Sequence, residues 1–209
     1  MSKKIVITGG LGYIGTELCK IYSGTSWNDG ILVIDNRFAS ERVNQLRGWG
    51  IDFVHGDILD KDLVNKYCKD ADIVHHLAGI TEVPRVKSES SDDKDAKIKL
   101  VGEEGTQNIL DAISDKCKII LPSTHVVYEG IEKVKNDILE DEDTKPILSY
   151  ATSKAINERQ LKNSGKNYII LRLGSVYGYS TDPARIDIMP NLFSKIASQD
   201  GTLKLFAGG

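Results

Sequence analysis

Residues 8–15 read Thr-Gly-Gly-Leu-Gly-Tyr-Ile-Gly, directly after the apolar, β-branched run Lys4–Thr8. Few backbones accommodate four glycines in eight residues. Tyr13 to Ser23 then carries apolar residues at helical spacing, so the segment predicts strand, tight turn and helix. Both GxxGxxG (Gly9, Gly12, Gly15) and GxGxxG (Gly10, Gly12, Gly15) are present. Glycines in that context permit the turn, let a pyrophosphate approach backbone N–H groups, and let the helix lie close on its sheet.

The next apolar run, Ile31–Ile34, ends at Asp35, twenty residues beyond Gly15. A carboxylate there accepts hydrogen bonds from an adenosine ribose 2′-OH and repels a 2′-phosphate, which favours NAD over NADP. Arg37 beside it is the group that could instead hold a phosphate. Further apolar runs lie at Ile51–Val54, Ile73–Leu77, Cys117–Leu121 and Tyr168–Leu171, separated by helical or mixed polar stretches. Continuous apolar strands interleaved with helices predict a doubly wound α/β fold, a parallel sheet of Rossmann type with helices on both faces. Lys87–Lys99 reads as a surface loop and helix start, Leu100–Ile113 as a helix, and the acidic stretch within Ile131–Lys145 as a solvated loop. Ile188–Ala197 reads as a helix and Thr202–Phe206 as a strand.

Bulk composition narrows the function. The 209 residues are 40% apolar and 27% charged, with a formal net charge of -3, so no basic excess marks a nucleic-acid surface. The three cysteines, Cys19, Cys68 and Cys117, are far apart and form no CxxC pair, which predicts reduced thiols, no metal site and a cytoplasmic protein. The apolar stretch after Lys4 is too short for a signal-peptide core or a membrane span. His75 and His76 are adjacent on one strand and so point to opposite faces; packing roles are expected of them rather than joint metal ligation.

Tyr150-Ala151-Thr152-Ser153-Lys154 forms YxxxK at the start of a helical segment, which places phenol and ammonium on one face. A free tyrosine titrates near pH ~10. As a general base it needs a nearby positive charge, which Lys154 supplies.

From the glycine turn onward, the chain resembles the extended short-chain dehydrogenase/reductases, the family of nucleotide-sugar epimerases and dehydratases. His55-Gly56-Asp57-Ile58 matches its GDI element, His76-Leu77-Ala78-Gly79 its HLAA or HLAG strand end, Gly105-Thr106-Gln107-Asn108 its GTxN, and Tyr150 to Glu158 its YxxSKxxxE helix. Leu171 to Gly178 resembles LRxxNVYG, with Ser175 in place of the usual Asn. An asparagine usual three residues before Gly105 is here Gly102.

The resemblance implies a cofactor site of Gly9, Gly12, Tyr13, Ile14, Gly15, Asp35, Asn36, Asp57, Ile58, Leu77, Ala78, Gly79, Tyr150 and Lys154, holding NAD. It implies Thr124, Tyr150 and Lys154 as catalytic residues, with Ser123, Thr124 and Ser175 toward a nucleotide-sugar substrate; Ser123 is the close alternative to Thr124. It also implies a homodimer through the fourth and fifth helices. Where the family's dehydratases carry an acid and a base after the threonine, this chain has His125 and Val126, so epimerase or reductase chemistry is expected over dehydratase. A keto-sugar reductase and a non-catalytic NAD(H) sensor are the alternatives. Residues 1–180 are expected to form the NAD-binding catalytic domain and 181–209 the start of a substrate lobe that the chain breaks off.

Overall fold

The computed structural model describes residues 3–27, 30–81, 91–133, 135–181, 185–186 and 188–204. Six strands run in chain order: β1 (Ile5–Thr8), β2 (Ile31–Asp35), β3 (Asp52–His55), β4 (Ile73–His76), β5 (Lys118–Thr124) and β6 (Asn167–Leu173). All pair in parallel in the order β3-β2-β1-β4-β5-β6. Parallel neighbours require crossovers, and the helices supply them: α1 (Tyr13–Ser23), α2 (Ser40–Gly48), α3 (Lys61–Cys68), α4 (Asp92–Lys99), α5 (Gly105–Ala112) and α6 (Ser149–Asn163), with α7 (Met189–Ser198) after β6. This is the doubly wound order the sequence predicts, with the reversal between β1 and β4 opening a crevice at the carboxyl ends of the strands.

Two apolar clusters hold the layers together. One, built on Ile5, Ile7, Leu11, Cys19, Val33, Val43 and Leu46, packs α1 and α2 on one face. The other, built on Val6, Ile34, Val64, Val74, Ile109, Ile119, Leu121 and Leu161, packs α3, α5 and α6 on the opposite face. Alternate residues of β1, Ile5 and Ile7 against Val6, feed the two clusters, as period-2 side chains must. The three cysteines are buried free thiols.

Two expectations are corrected. The helix expected over Leu100–Ile113 is interrupted by a π-helical turn at Leu100–Glu104. Gly102 sits in that turn, where a Cβ would stand 2.2 Å from Ser153 Oγ, and its carbonyl accepts from Asn157 Nδ2 at 3.0 Å. The wide turn lets α6 press against the backbone, an insertion of the kind that opens such bulges. The expected strand at Thr202–Phe206 is absent over Thr202–Lys204, which pair with no ladder, and the remainder lies outside the described residues. The loop expected from Lys87 likewise falls mostly outside them. No helix is long and apolar enough to cross a membrane among the described residues.

Candidate active site

Apart from Tyr150 and Lys154 on α6, the expected site residues gather at the carboxyl end of the sheet, because each follows or ends a parallel strand. Gly9–Gly15 follow β1, Asp35 and Asn36 close β2, Asp57 and Ile58 follow β3, Leu77–Gly79 follow β4, Ser123 and Thr124 end β5, and Ser175 follows β6.

The glycine turn is forced by contact distances. Gly9 has φ +70°, and a Cβ there would lie 2.7 Å from the Ala78 nitrogen; a Cβ on Gly15 would lie 2.5 Å from the Gly9 carbonyl oxygen. Turn, helix and the end of β4 therefore approach as backbone on backbone. The first N–H groups of α1, from Tyr13 and Ile14, lack intrahelical partners and face the crevice end of the sheet. Asp35, buried at the end of β2, takes the Leu11 N–H on Oδ2 and the Arg37 N–H on Oδ1, both at 2.9 Å. Its carboxylate is thus fixed to the turn. The Arg37 guanidinium donates to the Leu11 carbonyl, which draws that cation back onto the same turn.

Asn36 Nδ2 donates to Asp57 Oδ2 at 2.9 Å, joining the ends of β2 and β3. Ile58 is only 4% exposed and its side chain packs in the core against Gly105, so what it can offer a ligand is backbone. Gly79 is exposed and a Cβ there would meet nothing within 4 Å, leaving open space over the crevice.

The histidines divide as expected. His75 Nε2 meets the Tyr22 hydroxyl at 2.8 Å on the α1 side. His76 bridges Thr8 (Nδ1, 2.9 Å) and Thr106 (Nε2, 3.0 Å) on the α5 side. Burial lowers both imidazoles, His75 to about 4 and His76 to about 3, so both are neutral structural groups at pH 7.

Helix α6 is locked to β5 by Lys154 and, one turn on, by Glu158. Lys154 Nζ donates to the Pro122 carbonyl at 2.9 Å and stands 5.9 Å from the centre of the Tyr150 ring. Burial pulls the Lys154 ammonium down to about 8 against the attraction of Glu158. Burial also raises the Tyr150 phenol, while the charge of Arg185 pulls it back.

Ser123 and Thr124 are separated by their partners. Ser123 Oγ donates to Glu158 Oε1 at 2.5 Å, and Glu158 is held in turn by Arg172 through Nε and Nη2. Ser123 therefore faces α6. Thr124 caps the short 3-10 turn His125–Tyr128, accepting from Val126 N at 3.3 Å, and retains its hydroxyl proton for a donor bond. His125 is exposed, with Nδ1 held 3.1 Å from the Leu173 carbonyl. Ser175 is exposed on the loop beyond β6.

Arg185 and Asn191 are residues that the sequence reading missed. No motif marks them, and only tertiary folding brings Arg185 toward Tyr150.

Comparison with known proteins agrees with this geometry. Residues 5–209 match the model of the NAD dependent epimerase/dehydratase family. The chain is 30% identical to a dTDP-D-glucose 4,6-dehydratase of Dictyostelium discoideum, over 88% of this chain and 46% of that one. It is 27% identical to a UDP-glucose 4-epimerase of Mycoplasma genitalium, over 84% and 53%. Among solved structures, UDP-glucuronic acid 4-epimerase of Bacillus cereus, in complex with UDP-glucuronic acid and NAD, superimposes with a TM-score of 0.75 at 26% identity, covering 99% of this chain and 66% of that one. The chain thus spans about half the length of those two curated relatives. With the glycine turn, the acidic end of β2 and the Tyr150–Lys154 pair all in place, the chain belongs to the NAD dependent epimerase/dehydratase family.

Proposed function

We propose that this chain carries the cofactor and catalytic part of an NAD-dependent nucleotide-sugar epimerase. The observation that carries the reading is the placement of Tyr150 and Lys154 on one face of α6, with Lys154 anchored to the end of β5 two residues before Thr124.

The turn at Gly9–Gly15, the fixed carboxylate of Asp35 and the open face at Gly79 fit a dinucleotide: amides for the pyrophosphate, an acceptor for the adenosine ribose, and space beside β4 for the nicotinamide. When bound, NAD would supply reversible hydride acceptance at a sugar carbon. The protein's own residues do the rest. Thr124 donates a hydrogen bond that orients the sugar hydroxyl toward Tyr150. Tyr150 takes the hydroxyl proton and later returns it. Lys154, one helical turn away, favours the phenolate by its charge and is placed to hold the nicotinamide ribose.

His125 and Val126 favour epimerisation over dehydration. Elimination of water across two sugar carbons calls for an acid and a base beside the threonine. The imidazole of His125 is held by the Leu173 carbonyl, and the side chain of Val126 carries no acid or base group.

The test is to incubate the protein with NAD and a mixture of UDP-, GDP- and dTDP-sugars and to follow the anomeric proton signals by NMR. A new epimer that disappears with Tyr150→Phe supports the reading. An unchanged mixture in the presence of bound NAD sinks it.

A further inference from the structure

Gly178, Ser180, Arg185 and Asn191, all beyond β6, are fastened to one another or to the start of α1. Tyr13, the first residue of α1, donates to the Gly178 carbonyl at 2.5 Å and accepts from Asn191 Nδ2 at 3.1 Å. Asn191 Oδ1 takes the Gly178 N–H at 2.9 Å, and its Nδ2 also reaches the Arg185 carbonyl at 3.0 Å. Both halves of one amide are spent on fixing the turn that carries Arg185. Ser180 Oγ reaches the Tyr13 carbonyl at 3.1 Å, which ties the same segment to the cofactor helix a second time.

This fastening determines where the Arg185 side chain stands. Its Nη1 lies 3.4 Å from the Thr81 carbonyl, beyond the end of β4, and its charge acts on Tyr150. That long bond to a carbonyl is its one hydrogen bond, and no carboxylate pairs with it, among the described residues. A guanidinium presents five N–H donors in a planar fork suited to carboxylate and phosphate. Held by its backbone beside a catalytic tyrosine, with most of that fork uncommitted, it is placed to receive an oxyanion.

We propose that Arg185 is a substrate-binding residue, positioned by Asn191, that takes an oxyanion of the substrate, either a carboxylate on the sugar ring or the diphosphate. The proposal rests on the nucleotide-sugar reading above and adds to it a named contact.

Calorimetric titration of the NAD-loaded protein with UDP, UDP-glucose and UDP-glucuronate tests it, comparing the unsubstituted chain with Arg185→Gln and Arg185→Lys. Arg185→Gln is expected to weaken binding about tenfold or more, with Arg185→Lys recovering part of the loss and NAD affinity unchanged in both. A loss with all three probes assigns the contact to the diphosphate, and a loss confined to UDP-glucuronate assigns it to the ring carboxylate. Unchanged affinity for all three probes, or no binding of any by the unsubstituted chain, overturns it. Because binding is read without turnover, an Arg185-dependent affinity with no epimer formed would sink the epimerase reading alone. Epimerisation with substrate affinity indifferent to Arg185→Gln would sink this one alone.

Discussion

Ser123 Oγ donates a buried 2.5 Å hydrogen bond to Glu158 Oε1, and this single contact decides which of two adjacent hydroxyls is available for chemistry. Ser123 is committed to joining β5 and α6, and on the proposed reading Thr124 is the hydroxyl that meets substrate. Thr124→Val is expected to cut turnover about 100-fold, the scale of a lost proton-orienting contact, and also to cost about 1 kcal/mol of stability because it removes the cap on Val126 N. Ser123→Ala should cost about 1 kcal/mol of stability with turnover within tenfold of the parent. Steady-state kinetics and thermal melts of the two variants check this, and reversed outcomes would exchange their roles.

Glu158 and Arg172 form an ion pair at 2.6 Å whose side chains are 3% and 13% exposed. Glu158→Gln keeps the shape and removes the charge, leaving Arg172 without its counter-ion. A loss of about 3 kcal/mol is expected in chemical denaturation at pH 7. Hydrogen bonds from Arg172 and Ser123 outweigh burial and hold the Glu158 carboxyl below its ordinary value. A depressed carboxylate stabilises above its unfolded pKa and loses that contribution as pH falls through the folded one. The gap between parent and variant is therefore expected to narrow on acidification below about pH 4.

The two neutral histidines predict acid sensitivity at milder pH. Both titrate lower in the folded chain than the ordinary 6.5, so the unfolded chain binds more protons between about 6.5 and 4. Stability is then complete above 6.5 and falls with pH, by up to about 1.4 kcal/mol per pH unit for each histidine well below that point. Urea denaturation at pH 7, 6 and 5 measures the slope, and His75→Gln should flatten it. A stability independent of pH over that range would contradict the assignment.

Asp35 links the cofactor turn to the choice of cofactor. Asp35→Ala removes the acceptor of the Leu11 and Arg37 amides and the carboxylate that repels a 2′-phosphate. NAD affinity is expected to fall about tenfold or more while the preference over NADP shrinks, read by titration with each dinucleotide. An unchanged preference would place the discrimination elsewhere, at Arg37 first.

Much of this was legible in the sequence because its physics is local. The run at Ile31–Ile34 is apolar on both faces because helices cover both faces, and such a run can be read without a structure. Tyr150 and Lys154 were legible because helical spacing alone puts them together. The π turn at Leu100–Glu104 was not, since the apolar pattern runs through it and its cause is the approach of Ser153 from α6. The strand expected from Thr202 failed because β propensity is realised only against a partner strand. Arg185 and Asn191 carried no local signature. Their roles exist only through Tyr13, more than 160 residues away in the chain.

Isotope tracing at the reacting carbon tests the central claim most directly. The protein, with NAD, is given UDP-glucose deuterated at C4 in ordinary water, and any epimer is analysed by mass and proton NMR. The account predicts an epimer that keeps its deuterium at C4, because the hydrogen leaves and returns without meeting solvent, and no epimer with Tyr150→Phe. An epimer carrying solvent hydrogen at C4, or formed equally well by Tyr150→Phe, would contradict it.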